Sequence, residues 1–285
     1  MENNNGYTPT SPLERGGAWD QFEYEALEDG TYRILSFKSK SFDGRTVIPH
    51  GVSVIGERAF YGCDIREAII PDGVRAIEER AFWGCLNLTV ADIPDSVTFI
   101  GEGAFAVCCC LDRVRIPPGV KHIGDCAFFQ CDYLTSVTVC EGVESIGDQA
   151  FTECYTMEEL NLPESLRHIG DSAFCGCYSV RSLVLPRGLQ TVGSFAFDGC
   201  DEFTELILPS GVTDIGDNAF GACSALITAS IPESAVNMGG YVFTDCEALR
   251  EIRCEAAKKP EGWDEKWNSG CDAAVRWAYG RKAKG

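Results

Sequence analysis

The chain reads as an α/β, β-dominated solenoid: one array of stacked, near-identical coils, each supplying a strand, a turn and a short helical turn. Three columns of residues predict this. Phenylalanine returns nine times, at Phe60, Phe82, Phe105, Phe128, Phe151, Phe174, Phe197, Phe220 and Phe243, spaced by 22 residues once and by 23 thereafter. Cysteine stands three residues after each of them, from Cys63 to Cys246, and proline closes the apolar stretch of most copies, from Pro49 to Pro232, with Cys140 the exception. Columns held in register over nine copies are the signature of units that stack on one another.

The unit Leu134 to Thr156, LTSVTVCEGVESIGDQAFTECYT, shows the elements in order. Leu134, Val137 and Val139 follow the L-x-x-L-x-L spacing, whose last two apolar residues alternate along a strand and point the same way. In the next copies Met157, Leu160 and Leu162, then Val180, Leu183 and Leu185, then Phe203, Leu206 and Leu208 take those places, so each copy is expected to carry this strand. Proline follows, and two residues later glycine (Gly51, Gly73, Gly119, Gly188, Gly211) or serine (Ser96, Ser165, Ser234). Proline at i+1 with glycine at i+3 predicts a type I turn. A second apolar pair, here Val143 and Ile146, predicts a short extended stretch on the opposite wall. Asp125, Asp148, Asp171 and Asp217 each stand just before x-Ala-Phe-x-x-Cys, which suits the cap of a single helical turn.

A unit this small cannot bury its own apolar face, so the two ends need covers. Gly30 to Val47 alternates apolar and polar residues around Asp43-Gly44, predicting an N-terminal hairpin. At the other end Trp263, Trp267 and Trp277 are expected to lie over the last coil; a sugar-stacking platform is the alternative use of these rings. The expected organisation is a disordered tail over 1–18, an N-terminal cap over 19–47, about nine repeats over 48–254, and a C-terminal cap and tail over 255–285.

These residues resemble the leucine-rich repeat superfamily, and within it the BspA-like, or Treponema-type, class. The unit L-x-x-V-x-I-P-x-G-V-x-x-I-G-x-x-A-F-x-x-C carries the resemblance over residues 48–254, and Lys259, Pro260, Gly262, Trp263 and Trp267 resemble the ending of many such bacterial chains. The resemblance implies a right-handed, curved superhelix with a parallel sheet on its concave side, and it implies protein binding or, in bacteria, cell-surface adhesion to matrix proteins, glycans or other cells. The polar start offers no export signal, so the chain as given reads as cytoplasmic, while the resemblance allows surface display or secretion.

Formal charge is −19, from 24 Lys and Arg against 43 Asp and Glu, which disfavours nucleic acid, and no apolar run is long enough to span a bilayer. Of the sixteen cysteines, nine fill one repeat position, as small apolar residues of a buried ladder. Neighbouring rungs stand about 5 Å apart, within disulfide reach on distance alone, and the ladder suits a reducing compartment. A hydrolase needs a nucleophile, a base and a group that orients the base. Three histidines, His50, His122 and His168, are a thin supply, so the chain is read as non-enzymatic and without cofactor or metal. The residual enzymatic reading is thiol-dependent, through Cys109, Cys110 or Cys175.

Strand side chains that alternate with the core residues must face outward. Those positions nominate a concave binding face of Arg113, Arg115, Ser136, Thr138, Glu159, Asn161, Ser182, Val184, Glu205 and Ile207. Short polar side chains with two exposed hydrophobes suit a protein ligand better than a polyanion. The expected function is therefore a protein-binding scaffold, with a surface adhesin fragment as the alternative.

Overall fold

The structure is a computed structural model that describes residues 19–38 and 44–280. It is a β solenoid of about ten turns, each coil crossing two β walls and one wall of turns. The second apolar pair of each repeat builds one continuous sheet, completed to twelve strands by Phe22–Ala26, Tyr32–Phe37 and Gly262–Trp263, and parallel from Tyr32–Phe37 through Val52–Ile55 to Gly262–Trp263. Its pairs keep strict repeat register, as in His122↔Ser145 and Ile123↔Ile146. The L-x-x-L-x-L wall is also parallel but is divided. Three strands span Arg45–Val47 to Val90–Asp92, three span Arg113–Ile116 to Glu159–Asn161, and four span Glu205–Ile207 to Ala274–Arg276.

Phenylalanine fills the interior. The nine repeat rings are stacked face to face with centroids 4.7 to 6.0 Å apart and planes within 15°. All nine are fully buried. The cysteines beside them are more than small hydrophobes. Each thiol from Cys85 to Cys246 donates to the phenylalanine carbonyl of the preceding coil, for example Cys154 Sγ to Phe128 O at 3.3 Å and Cys177 Sγ to Phe151 O at 3.2 Å. That same carbonyl already accepts the cysteine amide of its own coil, as in Cys154 N to Phe151 O at 3.4 Å. A buried carbonyl thus satisfies both lone pairs, which alanine or valine at the cysteine position would leave half done. All sixteen cysteines are free thiols.

The expected helical turn is a correction. Phe151 and its counterparts lie in consecutive turns because two residues per coil adopt left-handed backbone: the one before alanine (Gln149, φ 56°) and the one before cysteine (Glu153, φ 59°). Left-handed residues interrupt an α-helix. They send their amides to the next coil instead, with Gln149 N to Asp171 O and Glu153 N to Cys175 O both 2.8 Å. Between them Phe151 N reaches Ala173 O at 2.8 Å, so this wall has its own ladder between coils. The aspartates do not cap a turn within their coil. Asp125 Oδ1 accepts Asp148 N at 2.9 Å, and Asp148 Oδ1 accepts Asp171 N at 2.8 Å.

Two further expectations change. The turn after each strand is closed by the residue past the glycine donating to the proline carbonyl, as in Val74 N to Pro71 O at 3.3 Å. Proline is therefore residue i and glycine i+2; Gly51 (φ 95°) and Gly73 (φ 105°) have the positive φ of a type II turn, whereas Gly119, Gly188 and Gly211 do not. The N-terminal hairpin lies earlier than expected. Phe22–Ala26 pairs antiparallel with Tyr32–Phe37, whereas Arg45–Val47 pairs in parallel with Glu67–Ile69; Asp43 lies outside the described residues. Phe37 stacks on Phe60 at 5.3 Å, and at the other end Trp267 meets Phe243 edge-on at 6.5 Å, with Trp263 and Trp277 packed beside it. Among the described residues no helix is long and apolar enough to cross a membrane.

Candidate functional site

The outward positions of the L-x-x-L-x-L wall fall into two groups. Arg113, Arg115, Ser136 and Thr138 sit on a regular ladder, with Ser136 opposite both Arg113 and Glu159, and Thr138 opposite both Arg115 and Asn161. Their charges are locally matched: Arg113 meets Asp112 at 3.1 Å, Arg115 meets Asp95 at 2.7 Å, and Ser136 Oγ donates to Glu159 at 3.3 Å. This part is a continuous, hydrogen-bonded sheet face.

Ser182 and Val184 are different. The strand expected at Leu183–Leu185 does not form, and residues 181–186 carry no regular structure. Among the described residues the main-chain groups of 181–185 make no hydrogen bond to the coil on either side, although the opposite wall is unbroken here at His168↔Thr191 and Thr191↔Asp214. The coil splays from its neighbours on this wall alone, and ring spacing does not set the place: the rings beside it stand 5.2 and 5.5 Å apart, whereas coils with an intact ladder stack at 5.2 to 6.0 Å. The splay opens the core slightly: Leu160, Leu183 and Leu185 are each 8% exposed, whereas Leu134 and Leu206 are sealed.

Two clefts flank this coil. One, of about 600 Å³, lies between it and Glu205–Ile207; Leu183, Leu185 and Phe203 form its floor, with Val184, Ile207, Arg181 and Arg187 around its mouth. The other, of about 610 Å³, lies toward Glu158–Leu162 and shares Ser182 and Val184. Val184 is 73% exposed and Ile207 59%. Six of the ten nominated residues, Glu159, Asn161, Ser182, Val184, Glu205 and Ile207, thus border clefts; the other four line neither. Periodicity did not nominate Arg181, Arg187, Thr204 or Ser210, because they lie beside the strand positions and reach the cleft only where the ladder is open.

Of the thiols outside the ladder, Cys109 and Cys175 are held toward their protonated form. Cys175 is pushed up to about 11 by burial and then by the neighbouring Asp198, and burial and Asp132 raise Cys109. Two of the three histidines are engaged elsewhere: His122 Nδ1 lies 2.6 Å from Ser145 Oγ and His168 Nδ1 3.0 Å from Thr191 Oγ1, both on the opposite wall. Among the described residues no group of three or more His, Cys, Asp or Glu is placed to hold a metal ion.

A parallel β solenoid of 23-residue coils, with a phenylalanine stack and a cysteine rung in each, defines the class as a repeat protein that presents sheet surface. The sequence matches the BspA type leucine rich repeat region over residues 35–158 and 144–260, in six copies, and the chain belongs to that family. A leucine-rich repeat protein from Bacteroides ovatus is similar in structure, with a TM-score of 0.63, 28% identity, and 82% of this chain and 70% of that one covered. A leucine rich cell surface protein from Faecalibacterium prausnitzii shares the fold, with a TM-score of 0.50, 24% identity, and 90% and 86% coverage. Among curated proteins no sequence matches this chain.

Proposed function

We propose that this chain is a non-enzymatic protein-binding module that holds its partner on the L-x-x-L-x-L wall, centred on the open coil at 181–185. The observation that carries this reading is the coincidence of three features at one place: unpaired main-chain groups, two adjoining clefts, and the two most exposed aliphatic side chains among the described residues, Val184 and Ile207. Exposed apolar side chains rimmed by polar ones mark interaction sites, and the centre of such a patch contributes most of the affinity. The family and its structural relatives support a scaffold role, and the matched charges elsewhere on the wall suit a polar rim. Display on a cell surface, as the Faecalibacterium protein's description has it, would use the same wall toward a matrix protein or another cell.

A photo-crosslinking residue at position 184, compared with one at Thr191 on the opposite wall, tests the reading. Site 184 should capture a discrete protein that then binds the purified chain, and Val184→Arg should weaken that complex at least tenfold, about 1.4 kcal/mol. Equal capture from both sites, or a complex indifferent to Val184→Arg, would sink it.

A further inference from the structure

On a chain of formal charge −19 the cleft between the open coil and Glu205–Ile207 is locally basic. Arg187 is exposed at its mouth, and among the described residues its side chain makes no ion pair or hydrogen bond. Across the same mouth Arg181 is 67% exposed and pairs only with Glu158 at 3.1 Å, an exposed contact that is easily exchanged. The nearby Glu164 carboxylate is occupied by the Arg187 amide at 3.0 Å, and Arg167 turns its guanidinium to the carbonyls of Glu164 and Leu166. Glu205 is the one carboxylate among the cleft's lining residues. Beneath this rim the floor is apolar, formed by Leu183, Leu185 and Phe203.

Resting on the protein-binding reading, we infer that the cleft between the open coil and Glu205–Ile207 takes an extended segment of the partner in which a bulky apolar residue stands next to an acidic one. The apolar side chain enters over Leu183 and Leu185, whose partial exposure is relieved when it does. The acidic side chain accepts from Arg187 and Arg181; a guanidinium binds a carboxylate in a fixed fork, which gives direction as well as energy. The unpaired amides and carbonyls of 182–184 supply what a peptide main chain needs and a compact small molecule does not use, as in strand addition to an open edge. Charge complementarity selects an acidic segment despite the chain's overall repulsion, because screening limits distant charges to about 8 Å while the two arginines act in contact.

Amide-resolved NMR titration of the full chain with three capped peptides, Gly-Ser-Phe-Glu-Gly-Ser and its Phe-Lys and Ala-Glu counterparts, at millimolar concentration, tests this. The Phe-Glu peptide should shift the amides of Ser182, Val184, Glu205 and Ile207 and bind about tenfold tighter than either counterpart, a difference of about 1.4 kcal/mol. Arg187→Glu should reverse the preference between the Glu and Lys peptides while leaving the amide spectrum of the opposite wall unchanged. Absence of shifts at the cleft with all three peptides, or equal binding of the Glu and Lys peptides, overturns the inference. If Val184→Arg still abolishes a protein complex in that case, the protein-binding reading survives without it; if Val184→Arg leaves the complex intact, that reading fails separately.

Discussion

Cys154 shows how much one repeat position does. Its thiol fills a site beside the phenylalanine stack, donates to Phe128 O at 3.3 Å and is held well above its ordinary value of 9.0, chiefly by burial. Burial also raises Cys85 and Cys254, each to about 12. A thiol whose folded value is raised binds its proton more tightly in the native state. Its contribution is therefore complete below about pH 9 and is lost as pH rises from there toward 12. The urea midpoint should thus fall between pH 8 and pH 10.5, and fall less steeply in Cys154→Ala, by one thiol's share of at most about 1.4 kcal/mol per pH unit. A midpoint that is flat over that range, or a slope unchanged in the variant, would contradict the ladder. Cysteine in this column was legible as a buried rung; its bond to a carbonyl one coil away was not, because that carbonyl lies outside the sequence window in which the column is read.

At the scale of the element, the informative difference lies between the two β walls and the wall of turns. The strand segments were visible from alternation, since side-chain period 2 is a local property. The turn wall was misread as helical although its sequence carries the contrary signal: the residue before cysteine is Gly62, Gly84, Gly176 or Gly199 in four copies, and glycine there fits the left-handed backbone found in every copy. The aspartates misled for the same reason, because a side chain that can cap a turn can equally accept an amide from the neighbouring coil. The glycine of the I-G pair marks another close approach between coils. A Cβ at Gly193 would stand 2.5 Å from Gly170 C and 2.6 Å from Asp171 N, so Gly193→Ala must push two coils apart. We expect a loss of about 1 to 3 kcal/mol, the range for overpacking, read from denaturant unfolding at constant m-value. Phe151→Ala, which empties a ring position stacked on both sides at 5.2 and 5.3 Å, should cost about 3 to 5 kcal/mol. A loss under about 1 kcal/mol for Phe151→Ala would be incompatible with a stack that supports the coils.

For the whole molecule, stability is the sum of coil terms and nearest-neighbour contacts, so the ends matter more than their size suggests. Trp267 closes the stack against Phe243 and is 3% exposed. Replacing it by alanine should release the last coils selectively. Hydrogen exchange would then show lost protection at Val242 and Asp245, whose amides bond to Trp267 O and Gly270 O, with the coil of Phe105 still protected. Uniform loss of protection along the chain would mean that the array unfolds as one unit and would reject the nearest-neighbour description. The N-terminal end differs in kind, since the hairpin of Phe22–Ala26 and Tyr32–Phe37 extends the twelve-stranded sheet while Phe37 extends the ring stack.

Repeat length, the interior column, the strand spacing and the outward positions are all functions of which residue follows which, and a period of 23 transmits them without knowledge of any contact. Where the ladder breaks is not. Val180 to Pro186 carries the same pattern as its neighbours, yet among the described residues only there does the coil lose its pairing on both sides and open clefts beside Val184 and Ile207. Ring spacing does not mark the place, since coils with an intact ladder stack at 5.2 to 6.0 Å. Strand pairing is a contact between coils 23 residues apart, so whether it forms is decided in the assembled array, which no single repeat contains.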